Sequence, residues 1–308
     1  MQGIRVPRES PAGWLIDAPA KVNVCLDVLP KRPDGFHGIR TLLCPVRLCD
    51  TLVVRPGPAD TGTIKVSVRA LNGSVNAAAV PTDDNNLVSR ALRAVFDQVG
   101  RKPDCRVTIN KRIPAQAGLG GGSSDAAAAI VAANHIWRLG LTDSEMLSVA
   151  AQVGSDVPGQ LSGRANLCEG RGELVTPAAV PAGLPCVIAK PRAGLSTAEV
   201  FRRCSPSAEP AGESATGRVA MLLQALQAGS WRKLPGLVTN QLQAAAMELC
   251  DELRRLAAAF SQLPFVAHQM TGSGSAYFGL CRNHHQAKQA AAWLRARQAA
   301  WVVATCTT

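Results

Sequence analysis

The sequence predicts an α+β fold in two domains. Segments with strand periodicity and segments with helix periodicity are mixed without a regular β-α-β alternation, which argues against a doubly wound sheet. The 308 residues exceed the usual span of about 100–200 residues per domain. A composition of 47% hydrophobic residues against 18% charged ones is enough to build sizeable cores and excludes a disordered or collagen-like chain. With aromatic residues at 4%, those cores must be made mainly of Ala, Val, Leu and Ile.

The elements follow in order. Val22, Val24, Leu26 and Val28 alternate with Asn23, Cys25 and Asp27, the period of a strand. Lys31 to Gly38 (KRPDGFHG) ends it in a turn through Pro33, Asp34 and Gly35. Ile64, Val66 and Val68 mark a second strand. Apolar residues at 87, 88, 91, 92, 95, 96 and 99 keep helical spacing, with cap candidates at 83–85 and Gly100 as the stop. Val107 to Ile109 reads as a short strand, and the alanine run 126–133 as a helix. Thr142 with Glu145 forms a capping-box pattern opening a helix to Val153, and Ser196 with Glu199 repeats the pattern. Beyond the Pro, Ala, Ser and Gly-rich stretches 176–185 and 205–217, which mark a seam, helices are expected near 218–228, 236–262 and 285–298. Strands are expected near 187–190, 276–280 and 301–305.

Charge narrows the partners. Lys and Arg number 33 against 22 Asp and Glu, a formal net charge of +11, which favours anionic ligands such as nucleotides and phosphorylated metabolites. No run of about 18–20 apolar residues suits a membrane span, and no apolar leader core follows a basic start, so the chain reads as cytosolic. The ten cysteines are scattered, with no C-x-x-C pair, and read as buried thiols rather than disulfides. Cys281, His284 and His285 lack a second ligand pair at zinc spacing.

Four segments carry chemistry. Pro114 to Asp125 (PAQAGLGGGSSD) lies between a strand and the alanine-rich helix. Gly118, Gly120, Gly121 and Gly122 let the backbone approach a ligand closely, and Ser123, Ser124 and the helix N-terminus offer donors to phosphate. It is neither a Walker A loop, which needs Lys where Ser123 stands, nor a G-x-G-x-x-G loop, which needs Gly there. Lys21 and Asn23 share one strand face. Asp156 in GSDVP could take a proton from a hydroxyl. Met270 to Ala276 (MTGSGSA) is a second Gly/Ser turn, and the two turns together suggest one anion site.

These segments, with APAKVNVCLDV, KRPDGFHGIRTL, EGRGE and LSTAEVF, stand in an order that resembles the superfamily of galactokinase, homoserine kinase, mevalonate kinase and phosphomevalonate kinase (GHMP kinases). The resemblance spans most of the chain and implies a domain like ribosomal protein S5 domain 2 over residues 1–180 and a ferredoxin-like domain over 181–308, with the site in the cleft between them. Residues 1–13 extend beyond the family's usual start and are expected to be disordered. ATP with Mg²⁺ is the implied cofactor pair, its phosphates on Pro114, Ala115, Gln116, Ala117, Gly118, Leu119, Gly120, Gly121, Gly122, Ser123 and Ser124. Asn86 and Lys111 match the adenosine contacts, Asp156 the catalytic base and Lys21 the catalytic lysine.

DGFH and LSTAEVF further imply a cytidine diphosphate-linked methylerythritol as substrate, in isoprenoid precursor synthesis. Asn23, Phe36, His37, Thr197 and Phe201 would bind it, in a chain with only twelve Phe, Tyr and Trp residues. Phe36 stands where Tyr is common in the family, and Gly159 where Phe often follows GSDVP. Mevalonate, homoserine or a sugar is the alternative substrate class. A basic RNA-binding role is disfavoured, because no segment interleaves basic and aromatic residues.

Overall fold

A computed structural model of the protein describes residues 6–57, 62–71, 76–204, 213–297 and 299–308. Strands β1 (Arg8–Ser10), β2 (Gly13–Lys31), β3 (His37–Pro56) and β4 (Ile64–Ala70) come first, then helix α1 (Leu87–Gln98) and β5 (Cys105–Lys111). Helices α2 (Gly121–Ile136), α3 (Asp143–Val153) and α4 (Val157–Leu161) follow, then β6 (Asn166–Glu169), β7 (Leu174–Pro177) and β8 (Pro185–Lys190). The remainder is α5 (Thr197–Arg203), α6 (Glu213–Gln227), α7 (Gln243–Leu249), α8 (Asp251–Ser261), β9 (Ala267–Met270), β10 (Tyr277–Leu280), α9 (His284–Ala296) and β11 (Trp301–Cys306). The α+β expectation holds. Two compact units share the chain: Met1–Ala20, Leu48–Ala115 and Gly120–Arg164 form the first, and Lys21–Arg47, Gln116–Leu119 and Ala165–Thr308 the second.

In the first unit β1 pairs with the start of β2, the end of β3 runs antiparallel to β5, and β5 runs parallel to β4. Arg8–Ser10, within the stretch expected as disordered, is therefore tied into a sheet by a turn at Gly13, where φ is +118°. Residues 1–5 of that stretch lie outside the described residues. Helix α1 buries Val88, Ala91, Leu92, Val95 and Phe96, as its spacing demands. Its cap is Asn86 rather than a residue at 83–85, since the Asn86 Oδ1 accepts from Val88 N at 2.8 Å while Asp83 Oδ1 is taken by Asn85 N. Helix α2 is buried on nearly every side from Ser124 to Ala133, and alanine is what permits it to lie inside the core. The Thr142–Glu145 capping box forms on α3 as expected. After Gly154 the GSDVP turn leads directly into α4, with Pro158 in its first turn.

The second unit holds an antiparallel sheet in the order β11-β8-β10-β9, packed against α8 and α9, in line with the ferredoxin-like expectation. Its core gathers Leu26, Val28, Val187, Leu253, Phe260, Tyr277 and Leu294. The single helix expected near 236–262 is instead two, α7 and α8. Residues 239–241 are taken by a bridge to β2, where Leu26 N donates to the Thr239 carbonyl and Gln241 N to the Leu26 carbonyl. Cys250 then breaks the run in an extended conformation (φ −144°, ψ 102°). Ser196 caps α5 in position only, without a side-chain bond. Of the seam at 205–217, residues 205–212 lie outside the described residues. All ten cysteines are free thiols, eight of them buried. Among the described residues no helix is long and apolar enough to cross a membrane.

Candidate active site

The second unit brings the N-terminal lysine to the two glycine turns. Lys21 is 3% exposed and donates from Nζ to Asn23 Oδ1 at 2.6 Å, and Asn23 Nδ2 donates to Thr41 Oγ1 at 2.8 Å. Thr271 Oγ1 accepts from Asn23 N at 3.0 Å and donates to Asn23 Oδ1 at 3.2 Å. Backbone bonds bind residues 117–119 into the same place: Lys21 N to the Leu119 carbonyl (3.0 Å) and Ala276 N to the Ala117 carbonyl (3.1 Å). Asn240 Nδ2 holds the TGSGS turn from behind, at 2.9 Å from the Met270 carbonyl and 2.8 Å from that of Gly272. A short cradle results, in which a buried ammonium lies against two glycine-rich turns.

Two of those glycines cannot be replaced freely. Gly118 has φ +70°, and a Cβ there would collide with the Thr271 carbonyl oxygen. A Cβ on Gly272, at φ +55°, would stand 2.9 Å from the Gly118 carbonyl and 3.1 Å from Lys21 Nζ. Gly118→Ala is therefore expected to destabilise the protein by at least the roughly 1–3 kcal/mol of left-handed strain. Gly122→Ala, with only Leu87 Cδ1 at 3.4 Å and a helical backbone, is expected to leave stability unchanged or raised. Urea midpoints of the two variants test the contrast, and an equal loss in both would refute it.

The pyrimidine-end candidates also gather in the second unit. The rings of His37 and Phe201 lie 6.2 Å apart at 25°, and His37 Nδ1 is 3.2 Å from the Leu29 carbonyl oxygen. Thr197 Oγ1 is 2.8 Å from Ser273 Oγ, which joins the start of α5 to the TGSGS turn. Phe36 is 54% exposed at the tip of its turn, with the Arg171 guanidinium 4.2 Å from its ring centroid. Arg171 was not foreseen, although EGRGE was among the quoted motifs.

In the first unit the candidates fall into three places. The cap of α2 is Gly120, in the left-handed region at φ +67° with no side-chain bond, so the first N–H groups of α2 are left for an anion. Ser124 is buried there and Ser123 half-buried. Asp156 is exposed at the cap position of α4 and makes no capping bond. Asn86 and Lys111 are both engaged internally. Asn86 is 5% exposed, with Oδ1 on Val88 N and Nδ2 on the Pro81 carbonyl.

Lys111 is 3% exposed and donates to Asp50 Oδ2 at 2.5 Å and Asp125 Oδ2 at 2.7 Å. Asp50 Oδ1 in turn accepts from the backbone N–H groups of Arg112 and Ile113. The triad thus ties the entry to the glycine loop to the first turns of α2. Burial alone would pull the Lys111 ammonium down, but Asp125 and Asp50 outweigh it and hold it above its ordinary range. Burial pushes Asp125 up to about 7, against the pull of Lys111. Asp50, the partner that completes this cluster, was not found by sequence reasoning.

Comparison with known proteins supplies the context. Residues 86–168 match the family described as GHMP kinases N terminal domain, and residues 222–299 match GHMP kinases C terminal. A 4-diphosphocytidyl-2-C-methyl-D-erythritol kinase of Nocardia farcinica is 40% identical over 284 residues, covering 92% of this chain and 90% of its own. One of Saccharopolyspora erythraea is 39% identical over 287 residues, covering 92% and 88%. A crystal structure of 4-(cytidine 5'-diphospho)-2C-methyl-D-erythritol kinase superposes with a TM-score of 0.76 at 32% identity, over 95% of this chain and 98% of that one.

Proposed function

The chain belongs to the GHMP kinase family, and on that premise we propose that it transfers the γ-phosphoryl group of ATP to the 2-hydroxyl of 4-diphosphocytidyl-2-C-methyl-D-erythritol. The observation that carries this reading is the cradle at Lys21, where a buried ammonium faces two glycine turns. Phosphoryl transfer asks chiefly for positioning and for neutralisation of spread negative charge, and such a cradle supplies both. Support for the cytidine end comes from the His37–Phe201 ring pair, with Thr197 linked to Ser273 beside it.

In this reading Asp156 accepts the proton of the 2-hydroxyl, the oxygen attacks the γ-phosphorus, and the bond to the β-phosphate oxygen breaks to release ADP. Lys21 holds the hydroxyl and the attacked phosphoryl group in line, and Asn23 orients Lys21 while binding substrate. The 114–124 loop and the uncapped start of α2 receive the phosphates. Asn86 and Lys111 belong to the adenosine end, where their internal bonds make them shape the wall rather than reach out to the base.

Mg²⁺ accompanies ATP in this proposal and would supply charge neutralisation on the phosphate oxygens. Among the described residues no group of three or more His, Cys, Asp or Glu is placed to hold a metal. Such an ion would keep water and phosphate oxygens as its main ligands, and the Ser123 hydroxyl in the first turn of α2 would be available to it.

Release of ADP, measured by a coupled assay with this substrate, mevalonate and homoserine, tests the proposal. Turnover with the cytidylyl substrate alone is expected, and turnover only with another alcohol refutes the assignment. Phe201→Ala is expected to raise KM for the cytidylyl substrate by about 5–150-fold, the equivalent of a base-stacking contribution of roughly 1–3 kcal/mol. KM for ATP should stay unchanged, and an equal rise in both constants would count against stacking.

A further inference from the structure

Apart from the site above, the second unit carries a cavity of about 730 Å³ at the end of the β8 and β11 strands, flanked by α8 and α9. Arg192, Arg255 and Arg297 line it against a single carboxylate, Glu252, over an apolar floor that includes Leu256 and Leu294. Arg203, Arg218 and Arg254 of the same unit pair with Glu248, Asp27 and Asp251, whereas Arg192, Arg255 and Arg297 have no carboxylate partner among the described residues. Arg297 is steadied instead by the Trp293 ring, 3.8 Å from its guanidinium carbon to the centroid, a contact that leaves its N–H edge available.

One wall of the cavity is unusually well fixed for a loop. Lys190, 8% exposed, donates to the carbonyls of Pro191 (3.0 Å), Arg192 (3.4 Å) and Ala193 (3.2 Å), placing a further positive charge behind them. Glu252 Oε2 accepts from the backbone N–H groups of Arg192 (2.9 Å) and Ala193 (3.4 Å), and Ser275 Oγ donates to the Ala193 carbonyl. Glu252 is thereby held by backbone donors through Oε2, and its single negative charge is outnumbered by the three guanidinium groups. A pre-organised concavity with planar, bidentate donors above an apolar floor is complementary to a phosphate group carrying a small hydrocarbon body.

We propose that this cavity is a second anion site, which takes a phosphorylated small molecule with a compact apolar body through Arg192, Arg255 and Arg297. Its lining includes none of the phosphate-loop or cytidine-end residues, and the proposal stands whether or not the proposed kinase reaction is right.

The test is calorimetric titration of the intact protein with n-butyl diphosphate. Adenylyl imidodiphosphate and cytidine diphosphate are kept saturating, so that the sites of the proposed reaction are filled. One-to-one binding is expected, weakened at least 10-fold in the Arg255→Ala, Arg297→Ala double variant and weaker in both proteins for inorganic pyrophosphate, which lacks the apolar body. The double variant should bind adenylyl imidodiphosphate like the parent. Loss of the butyl diphosphate signal once both nucleotides are present, or equal affinity in parent and variant, overturns the proposal. Failure of adenylyl imidodiphosphate itself to bind would sink the kinase reading, while the parent-against-variant comparison would still decide this one.

Discussion

Asp156→Ala is expected to lower kcat by about 10²–10⁴-fold, the range for removing a general base, and to leave thermal stability nearly unchanged. The second half of that statement comes from the structure. Asp156 is exposed and makes no capping bond to α4, so its carboxylate contributes little to the fold, and exposed substitutions of this kind stay within roughly ±0.5 kcal/mol. Lys21→Ala should reduce kcat by a comparable factor. Asn23 Oδ1 keeps the Thr271 hydroxyl as donor when the ammonium is removed, so its oxygen is not orphaned. Residues acting as a unit are non-additive, and the double variant should therefore be little slower than the worse single one. Measuring ADP release beside thermal melts checks all three proteins. Near-normal turnover in either single variant would remove that residue from the mechanism.

Lys111→Met should be the most destabilising single change in the first unit, by roughly 3–5 kcal/mol, because it strands two buried carboxylates without their counter-ion. Adding Asp125→Asn should recover part of the loss, since only Asp50 then keeps a charge, and Asp50 still accepts from Arg112 N and Ile113 N. The same aspartate gives the protein a pH signature. Burial pushes its carboxyl up to about 7 in the folded state, against an ordinary 3.8, so the native state retains a proton that the unfolded chain has already released. Stability from this group is complete below the lower value and declines as pH rises toward the upper one. Asp125→Asn should flatten the slope of unfolding free energy between those limits. Chemical denaturation at several pH values decides it, and an identical slope in parent and variant would refute the assignment.

The parts of this molecule that could be read from sequence are those whose partners lie close along the chain. The Thr142–Glu145 box spans three residues, α1 shows its buried face at helical spacing, and the glycine loop announces itself by composition alone. Strand β3 escaped notice although it has 20 residues. From Thr41 to Val46 it is buried on both faces, so neither a period of two nor a period of 3.6 stands out. The late start of α7 at Gln243 depends on Leu26, more than two hundred residues earlier, which recruits Thr239 and Gln241. Asp50 lies 61 residues from Lys111, and without that pairing Lys111 looks like a cation available to a ligand. The roles proposed for Lys21 and Asp156 rest on resemblance, and the structure adds their surroundings: one buried in a network, the other exposed.

Five crossings of the chain, at 20/21, 47/48, 115/116, 119/120 and 164/165, have a consequence for how the protein is made. Residues 21–47 leave the ribosome long before Ala165, yet Thr41 to Leu43 pair with Asn166 to Cys168, and Leu26 bridges to Asn240. For much of translation two long apolar strands are therefore without their final neighbours, a state that invites edge-to-edge pairing between nascent chains. Strong expression should then depend on chaperone capacity and on slow synthesis. No single cut in the polypeptide would yield either unit as an unbroken, self-sufficient fragment.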